Sequence, residues 1–227
     1  MPAGKILERF HDERLAAARL ACPPDLIPAP GRYLLAHDPA SDLPLPVPLF
    51  PAGPAREGFL VAPPLPRAWL PGLELSLRGP LGHGFALPAT ARKVALLALD
   101  DRPAPLLSLL APALAQSAAL TLVCATPPDG LPDEVEIQPL AALNEVCGWA
   151  DYLAFALGRE SLPGWRERLE RAAPARGPQE AQVWVGAPVP CGGVGECGVC
   201  AVQVGREFKW ACKDGPVFPL ADLLAGG

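Results

Sequence analysis

The chain has 227 residues, 50% of them hydrophobic, and 19 Lys and Arg against 24 Asp and Glu give a net charge of −5. That length and apolar content provide for one large core or two smaller ones and exclude a wholly disordered chain. The acidic balance offers no clustered cations to displace counterions from a polyanion, so no nucleic-acid role is expected. No apolar run reaches the roughly 18 to 20 residues of a membrane span. Glu8, Asp12, Glu13 and Arg14 interrupt the first twenty residues, which argues against a secretory signal. A cytoplasmic, reducing setting is the resulting expectation.

Taken in chain order, Ile6, Leu7, Phe10, Leu15 and Leu20 recur among charges and predict a helix over 5–21, packed on a core. From Pro23 to Pro88 short apolar pieces (33–36, 59–62, 73–77) alternate with Pro and Gly, the pattern of a small antiparallel sheet or barrel. The apolar run 93–99 predicts a strand and 103–116 a helix. Further strands are expected at 120–125, 135–138, 152–157 and 182–185, with a helix over 161–171 capped by Ser161. Strands alternating with helices predict a small parallel α/β unit. The divisions expected are 1–90, 91–186 and 187–227, the last a Gly- and Cys-rich tail forming its own compact unit with strands at 201–204 and 207–211.

That tail holds four of the seven cysteines. Cys191-Gly-Gly-Val-Gly-Glu-Cys197-Gly-Val-Cys200 supplies three thiols from one tight loop, and Cys212 returns with the next segment. In a reducing compartment such crowding reads as metal ligation before disulfides. Four thiolates in this layout suit a two-iron, two-sulfur (2Fe-2S) cluster, and the intervening glycines allow the backbone to wrap it closely. Structural zinc is the alternative, although zinc ribbons usually present two Cys-x2-Cys knuckles where this chain has one. Cys22, Cys124 and Cys147 lack such context and read as incidental thiols.

The segments Pro190-Cys-Gly-Gly193, Glu196-Cys-Gly-Val-Cys200 and Ala211-Cys-Lys-Asp-Gly-Pro-Val-Phe218 resemble the cluster-binding end of the electron-transfer subunit of dihydroorotate dehydrogenase. Arg78-Gly-Pro-Leu-Gly-His-Gly-Phe85 is similar to the segment closing that family's flavin barrel, and Pro30-Gly-Arg-Tyr-Leu-Leu35 to an early barrel strand. The resemblance implies a ferredoxin-reductase-like chain of class α/β plus β: a shortened flavin-type barrel, a small parallel nucleotide-binding-like domain, and a C-terminal 2Fe-2S domain held by Cys191, Cys197, Cys200 and Cys212. It further implies FAD, with Gly79, Pro80 and Gly82 touching the flavin or a partner. The partner implied is a flavin-bearing catalytic subunit that oxidises dihydroorotate in pyrimidine synthesis.

Some residues depart from that pattern. Where the family has Arg-Pro-x-Ser, whose arginine holds the flavin phosphate, this chain has Pro46-Val-Pro-Leu-Phe-Pro51. Where a Gly-rich turn would meet a nucleotide at a helix N-terminus, it has Asp100-Asp-Arg-Pro-Ala-Pro105, so NAD is not expected there. Three readings follow. The first is an electron-transfer subunit, the second a structural or regulatory partner whose tail binds a metal only to fold, and the third a complete NAD-dependent reductase with an unusual flavin site.

Overall fold

The computed structural model describes residues 2–11, 15–42, 45–172 and 180–225. The N-terminal stretch is a hairpin, not the predicted helix: β1 (Ala3–Arg9) pairs antiparallel with β2 (Ala18–Ala21), Ile6 opposite Leu20. The reason is visible in β1, where buried Gly4 and Ile6 alternate with exposed Ala3 and Lys5, a period of two. Leu7 and Phe10, needed on the buried face of a helix, are only half-buried. Residues 12–14 of the predicted helix lie outside the described residues.

The hairpin belongs to a seven-stranded antiparallel, barrel-like sheet with β3 (Tyr33–His37), β4 (Val47–Leu49), β5 (Pro51–Ala55), β6 (Gly58–Val61) and β7 (Glu74–Leu81), in the order β4-β3-β7-β1-β2-β6-β5. Prolines sit in β4 and in the edge strand β5, where a missing N–H costs least. Ile6, Leu20, Leu34, Phe59 and Leu77 fill this core.

The second sheet begins with β8 (Lys93–Ala98), whose last five residues are all buried, as expected of a strand covered on both faces. The predicted helix over 103–116 is instead two short ones, α1 (Ala104–Leu107) and α2 (Leu110–Ala115). Pro112 explains the break, because it cannot donate to the carbonyl four residues back and its ring crowds it. Next come β9 (Ala119–Val123), β10 (Val135–Gln138), α3 (Leu143–Trp149), β11 (Tyr152–Gly158), α4 (Leu162–Ala172) and β12 (Glu180–Gly186). Helix α3 was not anticipated: its buried face is only Leu143, Val146 and Cys147, two turns too short to stand out. β11 is buried throughout and lies between β8 and β12, all parallel.

In the tail, β13 (Ala201–Val204) and β14 (Glu207–Trp210) form a hairpin. β15 (Val217–Pro219) then adds antiparallel to β12, closing the order β10-β9-β8-β11-β12-β15, and α5 (Leu220–Leu224) follows. The tail is therefore not a compact unit by itself. Cys200, Val202, Cys212, Phe218, Leu220 and Leu223 share one core with Leu153, Phe155, Val183 and Val185 of the parallel sheet. Each large apolar side chain buried there contributes about 1.5–3 kcal/mol, so the tail has apolar anchorage besides its cysteines. Among the described residues no helix is long and apolar enough to cross a membrane.

Candidate metal centre

The loop from Pro190 to Cys200 has no regular secondary structure and turns through four glycines with positive φ. Two contacts show why glycine is required. At Gly193 (φ +74°) an added Cβ would stand 2.8 Å from the Tyr33 hydroxyl, and at Gly195 (φ +77°) it would stand 3.2 Å from the Lys213 side chain. The loop is clamped from both sheets. Arg78 of β7 donates to the Gly192 carbonyl, and Arg159, after β11, donates to the Val199 carbonyl at 2.6 Å.

Cys212 is held by a separate device. The buried Tyr33 hydroxyl donates to the Cys212 carbonyl at 2.7 Å, across 179 residues of sequence. The Asp214 carboxylate accepts from the Trp210 N–H at 2.8 Å, and the Trp210 carbonyl accepts from Lys213, Asp214 and Gly215, which turns the chain sharply after Cys212. Ala211 N–H donates to the Cys200 carbonyl at 3.0 Å, bringing the two cysteine segments side by side.

The fold thus gathers all four predicted cysteines, and it does so as two pairs. Cys191 and Cys197 are hydrogen-bonded neighbours, as are Cys200 and Cys212. Among the described residues no three His, Cys, Asp or Glu side chains converge on a single ion position. The inner pair, Cys200 and Cys212, is buried; Cys197 is exposed and Cys191 half-buried. Their electrostatics differ accordingly. What burial Cys191 has opposes its ionisation, but the N–H groups of Gly195, Val194 and Glu196 and the Cys197 thiol outweigh it and hold its pKa down to about 6. Burial pushes Cys212 up to about 12, reinforced by its neighbours Cys200 and Cys191. Cys22, Cys124 and Cys147 stand apart, all raised in pKa by burial, Cys147 to about 12.

Gly79, Pro80 and Gly82 lie elsewhere. The Arg32 guanidinium donates to the Pro80 carbonyl at 2.8 Å and to the Gly82 carbonyl at 3.1 Å. A Cβ on Gly82 would meet the Gly215 carbonyl at 2.5 Å, and His83 exchanges backbone bonds with Gly215 and Val217. The turn seats the tail on the barrel.

None of those three residues lines the cavity of about 740 Å³ that opens between the two sheets. Its walls come from β4 and the start of β5's approach (Val47, Pro48, Phe50), from 62–64, from the stretch 101–105 ahead of and within α1, and from the end of β12 (Trp184, Gly186). Six of its lining residues are proline, which has no N–H for a phosphate. It holds one guanidinium, Arg102, already 3.8 Å from the Glu160 carboxylate, and a second carboxylate, Asp101, which accepts from the Thr126 N–H at 2.9 Å. These residues do not fit the pyrophosphate of a dinucleotide, flavin or nicotinamide. Sequence reasoning passed over Tyr33, Phe50 and Trp184, whose rings run in contact from Cys212 to this cavity: Tyr33 and Phe50 are 5.3 Å apart, Phe50 and Trp184 5.2 Å.

A barrel-like antiparallel sheet, a parallel α/β sheet and a cysteine tail folded between them define a ferredoxin-reductase-like scaffold that ends in an iron–sulfur domain. Residues 190–224 match the family described as the iron-sulfur cluster binding domain of dihydroorotate dehydrogenase B, which bears out the resemblance to that enzyme's electron-transfer subunit. Among solved structures, the chain is similar to one from the NADH-dependent reduced ferredoxin-NADP oxidoreductase, studied for flavin-based electron bifurcation: TM-score 0.71, 16% identity, covering 96% of this chain and 88% of that one. It is also similar to the ferredoxin reductase in carbazole 1,9a-dioxygenase, with TM-score 0.53 and 15% identity over 76% of this chain and 64% of that one. The FAD-free form of the same reductase gives TM-score 0.51 at 16% identity, over 74% of this chain and 62% of that one. The chain thus spans less than two thirds of the carbazole dioxygenase reductase. None of the curated proteins compared matches it.

Proposed function

We propose that this chain is an electron-transfer subunit that holds a 2Fe-2S cluster on Cys191, Cys197, Cys200 and Cys212 and exchanges electrons with a flavin-bearing catalytic partner like that of dihydroorotate dehydrogenase. The observation that carries this reading is the gathering of the four thiols, Cys197 against Cys191 and Cys200 against Cys212, within the segment 190–224 that matches the iron–sulfur family. Two irons, each taking two protein sulfurs, suit such an arrangement.

When bound, the cluster supplies one-electron chemistry. The chain does the rest. The N–H groups of Val194, Gly195 and Glu196 aim positive dipoles at the Cys191 sulfur, an arrangement that favours thiolate and would raise the potential of a cluster bound there. Cys200 and Cys212 exclude water from the inner side, while Cys197 faces outward beside Val194 and Val199, both large apolar side chains left exposed. That face is where a partner would bring its own redox group close. Dihydroorotate oxidation itself, and the pyrimidine pathway, would belong to the partner. The reading of the tail metal as a mere staple is weakened by the apolar core the tail already shares with the parallel sheet.

The test is the ultraviolet-visible spectrum of the anaerobically purified chain before and after dithionite, with iron, acid-labile sulfide and zinc assayed on the same sample. Absorption that dithionite bleaches, with equal iron and sulfide, is the expected result. A colourless protein containing zinc overturns it.

A further inference from the structure

The thiols that ligate a cluster do not fix its potential by themselves; the charges placed around them contribute as much. Beside the cysteine loop the barrel places one such charge. Along β7 the buried Leu75 and Leu77 alternate with Ser76 and Arg78, so the latter two turn away from the barrel core. With His37 and Pro46 they wall a groove of about 290 Å³ that Cys191 and Gly192 close from the other side.

The Arg78 guanidinium is held in that groove. It donates to the carbonyl of Gly192, the residue that follows Cys191, and its Nη2 lies 3.8 Å from where a Cβ on Gly192 would stand. No carboxylate lines the groove, so no acidic side chain there neutralises it. Leu35, opposite Arg78 in the β3–β7 register, adds only apolar surface to the wall. A guanidinium keeps its proton throughout the working range of pH, so the charge is permanent.

We infer that Arg78 tunes the redox poise of the tail: its fixed positive charge beside Cys191 favours the reduced cluster over the oxidised one and raises the midpoint potential. The inference rests on the 2Fe-2S reading and names a charge that sets that cluster's potential. An electron entering the cluster adds one negative charge and breaks no bond, so a nearby cation stabilises the reduced form more than the oxidised one. The hydrogen bond to Gly192 and the electrostatic field are separate roles of the same side chain. Losing the first loosens the loop, whereas losing the second shifts the potential.

The test is a spectroelectrochemical titration of the anaerobically purified full chain, with iron and acid-labile sulfide assayed on each sample. Wild type is compared with Arg78→Gln, Arg78→Lys and Arg56→Gln, the last making the same change in net charge in the turn between β5 and β6. At the potential that half-reduces wild type, Arg78→Gln should lower the ratio of reduced to oxidised cluster about three- to tenfold, which is about 30–60 mV for a one-electron couple. Arg78→Lys should restore most of that shift, and Arg56→Gln should leave the midpoint in place. Because Arg78 is exposed, the gap between wild type and Arg78→Gln should narrow as salt is added. A bleachable wild type whose midpoint Arg78→Gln leaves unmoved overturns the inference alone, as does Arg78→Lys falling as far as Arg78→Gln. A colourless, zinc-bound wild type overturns the cluster reading and the inference with it. Should Arg78→Gln lose its iron, Ser76→Glu decides: it sets a carboxylate in the same groove with the Gly192 bond intact, and a midpoint that does not fall overturns the inference.

Discussion

The cysteine tail and the cavity between the sheets are both places where a ferredoxin-reductase-like chain is built to hold a cofactor, and they have fared differently. The tail retains every thiol, the glycine turns that let the backbone approach, and clamps from both sheets. The cavity retains volume but carries prolines and carboxylates where phosphate would have to sit. A site can therefore keep its shape while its chemistry changes, and the two must be judged separately. A metal site depends on a few ligating side chains at fixed positions, whereas an anion site is undone by a few charges and missing N–H groups.

The sharpest way to break this comparison is Cys212→Ser, which should reduce bound iron to background, while Cys147→Ser leaves iron content unchanged; equal iron in both variants would remove Cys212 from the ligand set. Next in size is Gly193→Ala. It forces a Cβ into a left-handed turn 2.8 Å from the Tyr33 hydroxyl and should cost about 1–3 kcal/mol, seen as a lower Tm and faster loss of iron to a chelator. Tyr33→Phe leaves the Cys212 carbonyl without its donor and should cost about 1–2 kcal/mol. With it, the electron paramagnetic resonance signal of the reduced protein should shift, a readout that mere loosening of the barrel would not give.

The smallest effect concerns the two pairs of thiols themselves. In the iron-depleted chain Cys191 should react with iodoacetamide down to about pH 6, whereas Cys212, pushed to about 12, should stay inert until the chain unfolds. The linked stability has a definite sign. Cys191 ionises at about 6 when folded against 9.0 as its ordinary value, so its contribution is fully present above pH 9.0 and is lost as pH falls through 6. Equal reactivity of the two cysteines at pH 7 would show that the loop N–H groups do not act on Cys191.

How much of this was legible beforehand depends on the range of the interaction. Local signals sufficed for the cysteine loop, where spacing and glycine content are themselves the site, and for β8, β9 and β11, whose apolar runs need no partner to be recognised. Where two periodicities compete, as over 5–21, the neighbouring strands β7 and β6 decided for a hairpin, because pairing on both sides satisfies backbone groups that a helix would have satisfied alone. Over 103–116 the apolar spacing outweighs Pro112 in a pattern reading, yet in the chain the missing N–H divides the segment into α1 and α2.

The sequence by itself determined which side chains are available: four thiols in a glycine-rich frame, no phosphate-binding arginine or serine after the early strand, and two carboxylates and prolines where a nucleotide loop would be. Only the tertiary structure decided how they meet. It gathered the four thiols, brought Tyr33 to Cys212 across 179 residues, placed β15 against β12 so that the tail shares the sheet's core, and stacked Phe50 edge-on against Trp184 at the cavity wall. The physical reason is that composition and short-range pattern act within a few residues along the chain. Pairing, burial and hydrogen-bond satisfaction are settled between segments that only folding brings together.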